Sequence, residues 1–308
     1  MSITSVRPQQ NSVQTETSFS AQNYLLTAAA IALAAAALFP LCFPASLALF
    51  SISGWYLLSA AIVVLNQVTD NTLVHYLHSV MSEINAIVKA TFLFPHTLVE
   101  SYHEPKGDLK GRPILMVNGY LSFGSTWDYQ KHKLIEDGFG PIYTMNVGSG
   151  QSIKTYAKEV AVKAKAISEK TGRKDLTLLG HSKGGLVSAY YATTLAPEDG
   201  IQVKDVITVG TPLSGTPLAP LGFGQDAWEM RTESLFHREL RQHIADHPEI
   251  RFSQIASETD LVVPKDSALL PERTYRQYVV KDLGHLALVF SSRVATQIAT
   301  WLKEDNAV

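Results

Sequence analysis

The run Leu176-Thr177-Leu178-Leu179-Gly180-His181-Ser182-Lys183-Gly184-Gly185-Leu186 sets a serine between two glycines in the spacing G-x-S-x-G. A short apolar stretch leads into it and a helix-forming stretch leaves it, so Ser182 falls on a sharp strand-to-helix corner. Such a corner strains the backbone at the serine and excludes side chains at Gly180 and Gly184, which would collide with the neighbouring strand and helix. It also lifts the hydroxyl clear of the sheet. Gly185 would let the outgoing helix pack closely. An alcohol is almost fully protonated at neutral pH, so Ser182 needs a base within hydrogen-bond reach and an acid that holds that base in the right tautomer. The chemistry such a set performs is nucleophilic acyl transfer.

Among ten histidines, His285 is the best placed base. It follows Gly284 between an apolar strand-like run and the last helical stretch, although a histidine that merely opens that helix would stand in the same place. The acid is expected at Asp260, at the head of the loop after another strand-like run. Glu258 is held in reserve and Asp266 is near; an ordinary surface carboxylate is the competing reading for all three. The order Ser182, Asp260, His285 is the chain order of one particular fold. An oxyanion formed in acyl transfer needs two preorganised donors, and backbone amides are the natural supply. One is expected from Lys183, directly after the serine. The other is expected from Tyr120, with Leu121 as the alternative, in the turn Asn118-Gly119-Tyr120-Leu121.

These residues need a scaffold. Short apolar runs at 113–117, 142–147, 176–179, 206–209, 252–256 and 275–280 read as strands, with helical stretches at 153–170, 186–195, 233–245 and 286–303. Alternation of this kind implies an α/β architecture, a mostly parallel sheet with helices on both faces. From Gly111 onward the chain resembles the α/β-hydrolase superfamily, and within it the lipases and esterases. The resemblance rests on Gly180-His181-Ser182-Lys183-Gly184-Gly185 and on Gly210-Thr211-Pro212-Leu213-Ser214-Gly215-Thr216-Pro217-Leu218-Ala219, which is similar to the G-T-P-x-x-G-T-P-x-A stretch of lipase-like members. Asn118 stands where many relatives have histidine, and is expected to hydrogen-bond the loop in its place. Lys183 stands where many have a neutral residue; its side chain is expected to be solvated, with attraction of an anionic head group as the alternative. The resemblance places a cap over the acyl site between Pro220 and Arg251, whose small size implies a lightly covered pocket lined by residues such as Phe223, Trp228 and Met230. It implies a serine ester hydrolase that acts through an acyl-enzyme without a cofactor. Thioester cleavage, and an interaction protein that keeps the fold without catalysis, remain alternatives. His243 and His247 stand four apart, but without the glutamate of a zinc-protease motif no metal site is expected there.

The first hundred residues are of another kind. Between Glu16 and Asp70 lie 53 consecutive residues without Asp, Glu, Lys or Arg. The apolar part, 24–66, is broken by Pro40 and Pro44 and reads as a helical hairpin. A bilayer core of about 30 Å needs roughly 20 helical residues, which 45–65 supplies and 21–39 barely does. The polar leader 1–23, expected to be disordered, carries one basic residue, Arg7, and lacks the pattern of a cleaved signal peptide. A transmembrane hairpin would make the membrane a partner beside a lipid or acyl-ester substrate, with both chain ends in the cytoplasm. Segment 70–110 follows as an amphipathic helix and connector. Its apolar positions Leu73, Leu77, Val80, Met81, Ile84, Ile87 and Val88 share one face, and packing on the domain 111–308 is favoured over lying on a membrane. Asp70 or Asn71 would cap it; His75 and His78 read as ordinary helix residues. With 26 basic and 28 acidic side chains, no cationic surplus exists for nucleic acid. No obligate protein partner is evident, and a single cysteine, Cys42, excludes an intramolecular disulfide framework.

Overall fold

A computed structural model describes residues 72–98, 105–107, 110–271 and 276–306. All of these belong to one unit, Val64–Val308. The leader, the hairpin at 24–66, Cys42 and the caps Asp70 and Asn71 lie outside the described residues. Among the described residues no helix is long and apolar enough to cross a membrane.

Six strands form the sheet: β1 (Ile114–Val117), β2 (Ile142–Met145), β3 (Asp175–His181), β4 (Gln202–Val209), β5 (Arg251–Ser257) and β6 (Gln277–Val280). Their order is β2-β1-β3-β4-β5-β6 and every pairing is parallel. Each expected strand is therefore present, and the sheet is wholly parallel. Strand side chains alternate between two cores, as a sheet covered on both faces requires. On β1, Leu115 and Val117 join the core beneath α3 (Ile153–Thr171), α4 (Lys183–Tyr190) and α6 (Leu235–Asp246). Ile114 and Met116 face the opposite core with Leu134 of α2 (Asp128–Glu136) and Ile298 of α8 (Ser292–Asn306). The chain winds from β1 outward to β2 and then back across to β3, so the order reverses between β1 and β3. The carboxyl ends of strands at such a reversal are where α/β sheets bind ligands.

Several helices depart from expectation. α2 and the 3-10 turn before it (Gly124–Trp127) were not anticipated, because this stretch is mostly polar and buries only a few side chains, among them Trp127, Gln130 and Leu134. The expected helix 186–195 begins at Lys183 and ends in a π-helical turn, Tyr191–Leu195. The expected helix 286–303 is two pieces, a 3-10 turn (Leu286–Phe290) and α8, because Ser291 between them is extended.

The largest departure is α1 (Thr72–Thr97). It packs on the domain as expected, but through only part of the stripe its apolar residues define: Met81 is buried and Ile84 and Val88 are half-buried. Val74, Ser79, Met81 and Ala86 are buried, whereas Leu77, Val80 and Ile87 are exposed. Polar contacts select that orientation: Ser79 Oγ donates to the Thr259 carbonyl at 2.9 Å, and His78 Nδ1 lies 3.2 Å from the Asp282 carboxylate. His78 is thus no ordinary surface histidine.

Candidate active site

Ser182 occupies the corner between β3 and α4 with φ 54° and ψ −127°. This left-handed φ in a residue with a Cβ is the strain a nucleophile corner demands. A side chain at Gly180 would meet Gly185 at 2.5 Å, one at Gly184 the carbonyls of Val117 and Asn118, and one at Gly185 the side chain of Thr211. Both flanking glycines are therefore obligatory, as their spacing implied. Gly185 lets α4 press on the Gly210-Thr211-Pro212 turn after β4.

Asp260 and His285 are brought together from loops after β5 and β6. The His285 ring donates from Nδ1 to Asp260 Oδ2 at 2.7 Å, and Asp260 Oδ1 accepts from the amides of Val262 and Val263, each at 2.8 Å. With Nδ1 as donor, Nε2 of the neutral ring is left as the proton acceptor. Burial opposes the imidazolium, but the charge and hydrogen bond of Asp260, joined by the charge of Glu83, outweigh it and raise His285 above its ordinary value of 6.5. Burial likewise opposes ionised Asp260, yet His285 and the two amides bring it below 3.8. Neither the reserve Glu258 nor the nearby Asp266 makes this contact: Glu258 continues past β5 with its amide on Val280, and Asp266 lies in the first turn of the short helix α7 (Lys265–Ala268).

Ser182 and the ring share neighbours. The Ser182 amide donates to the Val209 carbonyl at 2.9 Å, and a Cβ on the next residue, Gly210, would lie 3.2 Å from His285 Cε1 and Nδ1. His181 Nε2 donates to the His285 carbonyl at 3.1 Å and its ring lies 4.7 Å from that of His285, centroid to centroid. Burial, reinforced by the positive ring of His285, drives His181 down to about 3, so it is neutral. Among the described residues the Ser182 hydroxyl is not hydrogen-bonded to the His285 ring.

The two expected oxyanion donors flank the serine. Lys183 is the first residue of α4, where an amide has no partner inside the helix. On the other side, a Cβ on Gly119 would lie 3.0 Å from Ser182 Cβ, which places the 118–121 turn against Ser182. The Leu121 amide is engaged by Ser149 Oγ at 3.0 Å, which favours Tyr120 over Leu121. Asn118 replaces the familiar histidine as expected: Oδ1 accepts from the Val147 amide at 2.7 Å and Nδ2 donates to the Ser122 carbonyl at 2.5 Å.

The Lys183 side chain contradicts both readings made of it. It is fully buried, neither solvated nor open to a head group. Its Nζ pairs with Asp226 Oδ2 at 2.8 Å, donates to the Gly148 carbonyl, and lies 4.3 Å from the centre of the Tyr156 ring. Burial lowers its affinity for a proton, and Asp226 opposes that. Asp226 sits on α5 (Gly224–Glu229), in the expected cap segment, so the ion pair ties that segment to the residue after Ser182. Tyr120 adds a second tie, its hydroxyl accepting from the Phe223 amide and donating to the Phe223 carbonyl, both at 2.9 Å. Sequence reading missed Glu83, His181 and Asp226; for Asp226, an unpaired lysine beside a buried corner was the available signal.

A cavity of about 280 Å³ opens beside Ser182. Its wall is apolar, including Leu121, Leu218, Phe223, Met230 and Val263, with Leu121, Leu221 and Phe223 more than half exposed at its edge. Trp228 is exposed and does not line it. Among the described residues no cluster of His, Cys, Asp or Glu is arranged to hold a metal ion. His247 Nδ1 instead meets the His243 carbonyl at 2.8 Å.

The family model for PGAP1-like alpha/beta domains matches residues 148–304, just over half of the chain. The chain belongs to the PGAP1-like alpha/beta domain family. The matched region contains Ser182, Asp260 and His285 but begins after the Asn118 turn. Solved structures with a similar fold include the mature form of lipase BlEst2 from Bacillus licheniformis, with a TM-score of 0.54 and 20% identity, covering 64% of this chain and 94% of that one. Lipase B of Aspergillus fumigatus is similar with a TM-score of 0.53 and 18% identity, covering 66% of this chain and 57% of that one. Those likenesses establish that this PGAP1-like domain shares the α/β fold of these lipases. No curated protein sequence matches it.

Proposed function

We propose that the chain is a membrane-anchored serine hydrolase that cleaves carboxylic esters, lipid esters foremost, through a covalent acyl-enzyme. The observation that carries this reading is the buried Asp260–His285 bond at 2.7 Å, set beside a strained serine corner. Ser182 Oγ attacks the ester carbonyl carbon while His285 Nε2 takes its proton. The amides of Tyr120 and Lys183 receive the oxyanion. The intermediate collapses, the alcohol leaves with the proton from His285, and a water molecule activated by the same ring releases the acid and restores Ser182. Asp260 steadies the imidazolium throughout. No cofactor enters these steps.

Three features favour lipid esters. The cavity wall is apolar, solved structures of similar fold are named lipases, and the uncharged stretch 24–66 has the length of a membrane hairpin, which would concentrate the site at a bilayer with both chain ends in the cytoplasm. A fluorophosphonate probe on the folded protein tests the chemistry. Labelling that vanishes in Ser182→Ala supports the reading, whereas an unlabelled wild type favours a protein that keeps the fold without catalysis. A panel of short to long p-nitrophenyl esters, phospholipids and acyl thioesters then separates ester from thioester hydrolysis.

A further inference from the structure

α1 precedes the hydrolase-like domain, yet its polar residues grip the two loops that bear the candidate acid and base. Ser82 Oγ accepts from the Gly284 amide at 3.0 Å, and Glu83 Oε2 accepts from the amides of Leu286 at 2.7 Å and Ala287 at 3.1 Å. Gly284 and Leu286 are the residues immediately before and after His285, and Ala287 is the next one on. One turn earlier on α1, Ser79 holds the carbonyl of Thr259, the residue before Asp260. The fit is close, since a Cβ on Gly284 would lie 2.5 Å from Glu83 Oε2.

We propose that Glu83 is a positioning residue for His285, its carboxylate fixing the backbone that carries the ring and adding a second negative charge, beside Asp260, that stabilises the imidazolium formed during acyl transfer. This rests on the reading of Ser182, Asp260 and His285 as the catalytic set. Capping a short 3-10 turn would need only an acceptor oxygen, which a glutamine supplies equally well. A carboxylate is different, because burial resists it. Desolvation raises Glu83 above its ordinary 4.5, with the Leu286 amide, His285 and the Ala287 amide drawing it back and the charge of Asp260 adding to the rise. Around His285, β3 contributes neutral His181, the end of β4 contributes Gly210, and Asp282 on the same loop as His285 is occupied by His78 and Arg293. Against burial, the charge and hydrogen bond of Asp260, and after them the charge of Glu83, favour a proton on the ring.

The test compares Glu83→Gln, which keeps an acceptor for both amides and removes the charge, with Glu83→Ala, which removes both, in the full chain. With a soluble p-nitrophenyl ester, Glu83→Gln should lower the acidic limb of the kcat/KM profile by about half a pH unit and reduce kcat severalfold at unchanged KM. Glu83→Ala should lose about tenfold or more in kcat, again at similar KM, because the acyl cavity is untouched. The NMR titration of the His285 ring should fall in parallel in Glu83→Gln, and this readout needs no turnover. Wild-type pH profile and ring titration in a folded Glu83→Gln would overturn the proposal. Persistence of activity in Ser182→Ala would instead overturn the catalytic reading beneath it.

Discussion

Lys183 and Asp226 are each completely buried and joined at 2.8 Å. Two charges taken out of water recover their solvation only through each other and through the remaining bonds, here the carbonyl of Gly148 for the lysine and the amide of Gly150 for the carboxylate. Removing one partner strands the other. Asp226→Asn is expected to destabilise the fold by about 3–5 kcal/mol, whereas replacing both with Lys183→Met and Asp226→Leu should restore most of the loss. Urea denaturation of the two variants measures the difference; equal stability of the single variant and the wild type would show that the pair is not desolvated. His285 gives a second expectation at this scale. The ring must be neutral to accept the Ser182 proton, and Asp260 and Glu83 overcome burial to hold its pKa above 6.5. Activity therefore rises with pH through a midpoint above 6.5. Asp260→Asn removes the larger raising charge, so the limb should move to lower pH while kcat falls, as a pH–rate profile would record.

The cap is a short element held by few bonds. Of the segment 220–251 expected as the cap, only the part up to Met230 lines the cavity, tied by Asp226 to Lys183 and by the backbone of Phe223 to Tyr120, while Phe236, Leu240 and Ile244 beyond it pack into the core. Tyr120→Phe removes the second tie but leaves the Tyr120 amide in place. Losing two exposed hydrogen bonds costs about 1–2 kcal/mol of local stability, so amides of the cap should exchange roughly tenfold faster in hydrogen-exchange measurements while the sheet is unaffected. Exchange at the wild-type rate would mean that the ion pair alone holds the cap. The six strands were legible in the sequence because buried parallel strands are short apolar runs between longer helical stretches, and Ser182, Asp260 and His285 because they follow such strands at fixed points. Contacts across the fold were not legible. The partner of Lys183 lies 43 positions away in sequence, and the inward face of α1 carries Ser79, Ser82 and Glu83 with Met81 while leaving Leu77, Val80 and Ile87 of the apolar stripe exposed. Hydrophobic periodicity carries no record of hydrogen bonds made to loops 180 to 204 residues distant.

At the scale of the molecule, the same helix separates two consequences of shortening the chain. The uncharged stretch that is expected to anchor the protein ends at residue 66, and α1 begins at Thr72 and reaches the base loop with His78, which bonds Asp282. Deleting residues 24–65 should therefore move the protein from the membrane pellet to the soluble fraction while leaving the hold of α1 on Asp260 and His285 intact. Hydrolysis of a soluble short-chain ester should continue at close to the wild-type rate, and hydrolysis of lipid presented in vesicles should fall, because anchoring raises the local concentration of substrate rather than changing the chemistry. Extending the deletion through Thr97 removes Ser79, Ser82 and Glu83 together, so the soluble ester should then be lost as well, even if the parallel sheet still forms by circular dichroism. Fractionation and the two assays, run on both truncations, check the argument at each step. Unchanged partitioning of the shorter deletion would refute the anchor, and full activity of the longer one would show that the acid and base loops hold themselves in place.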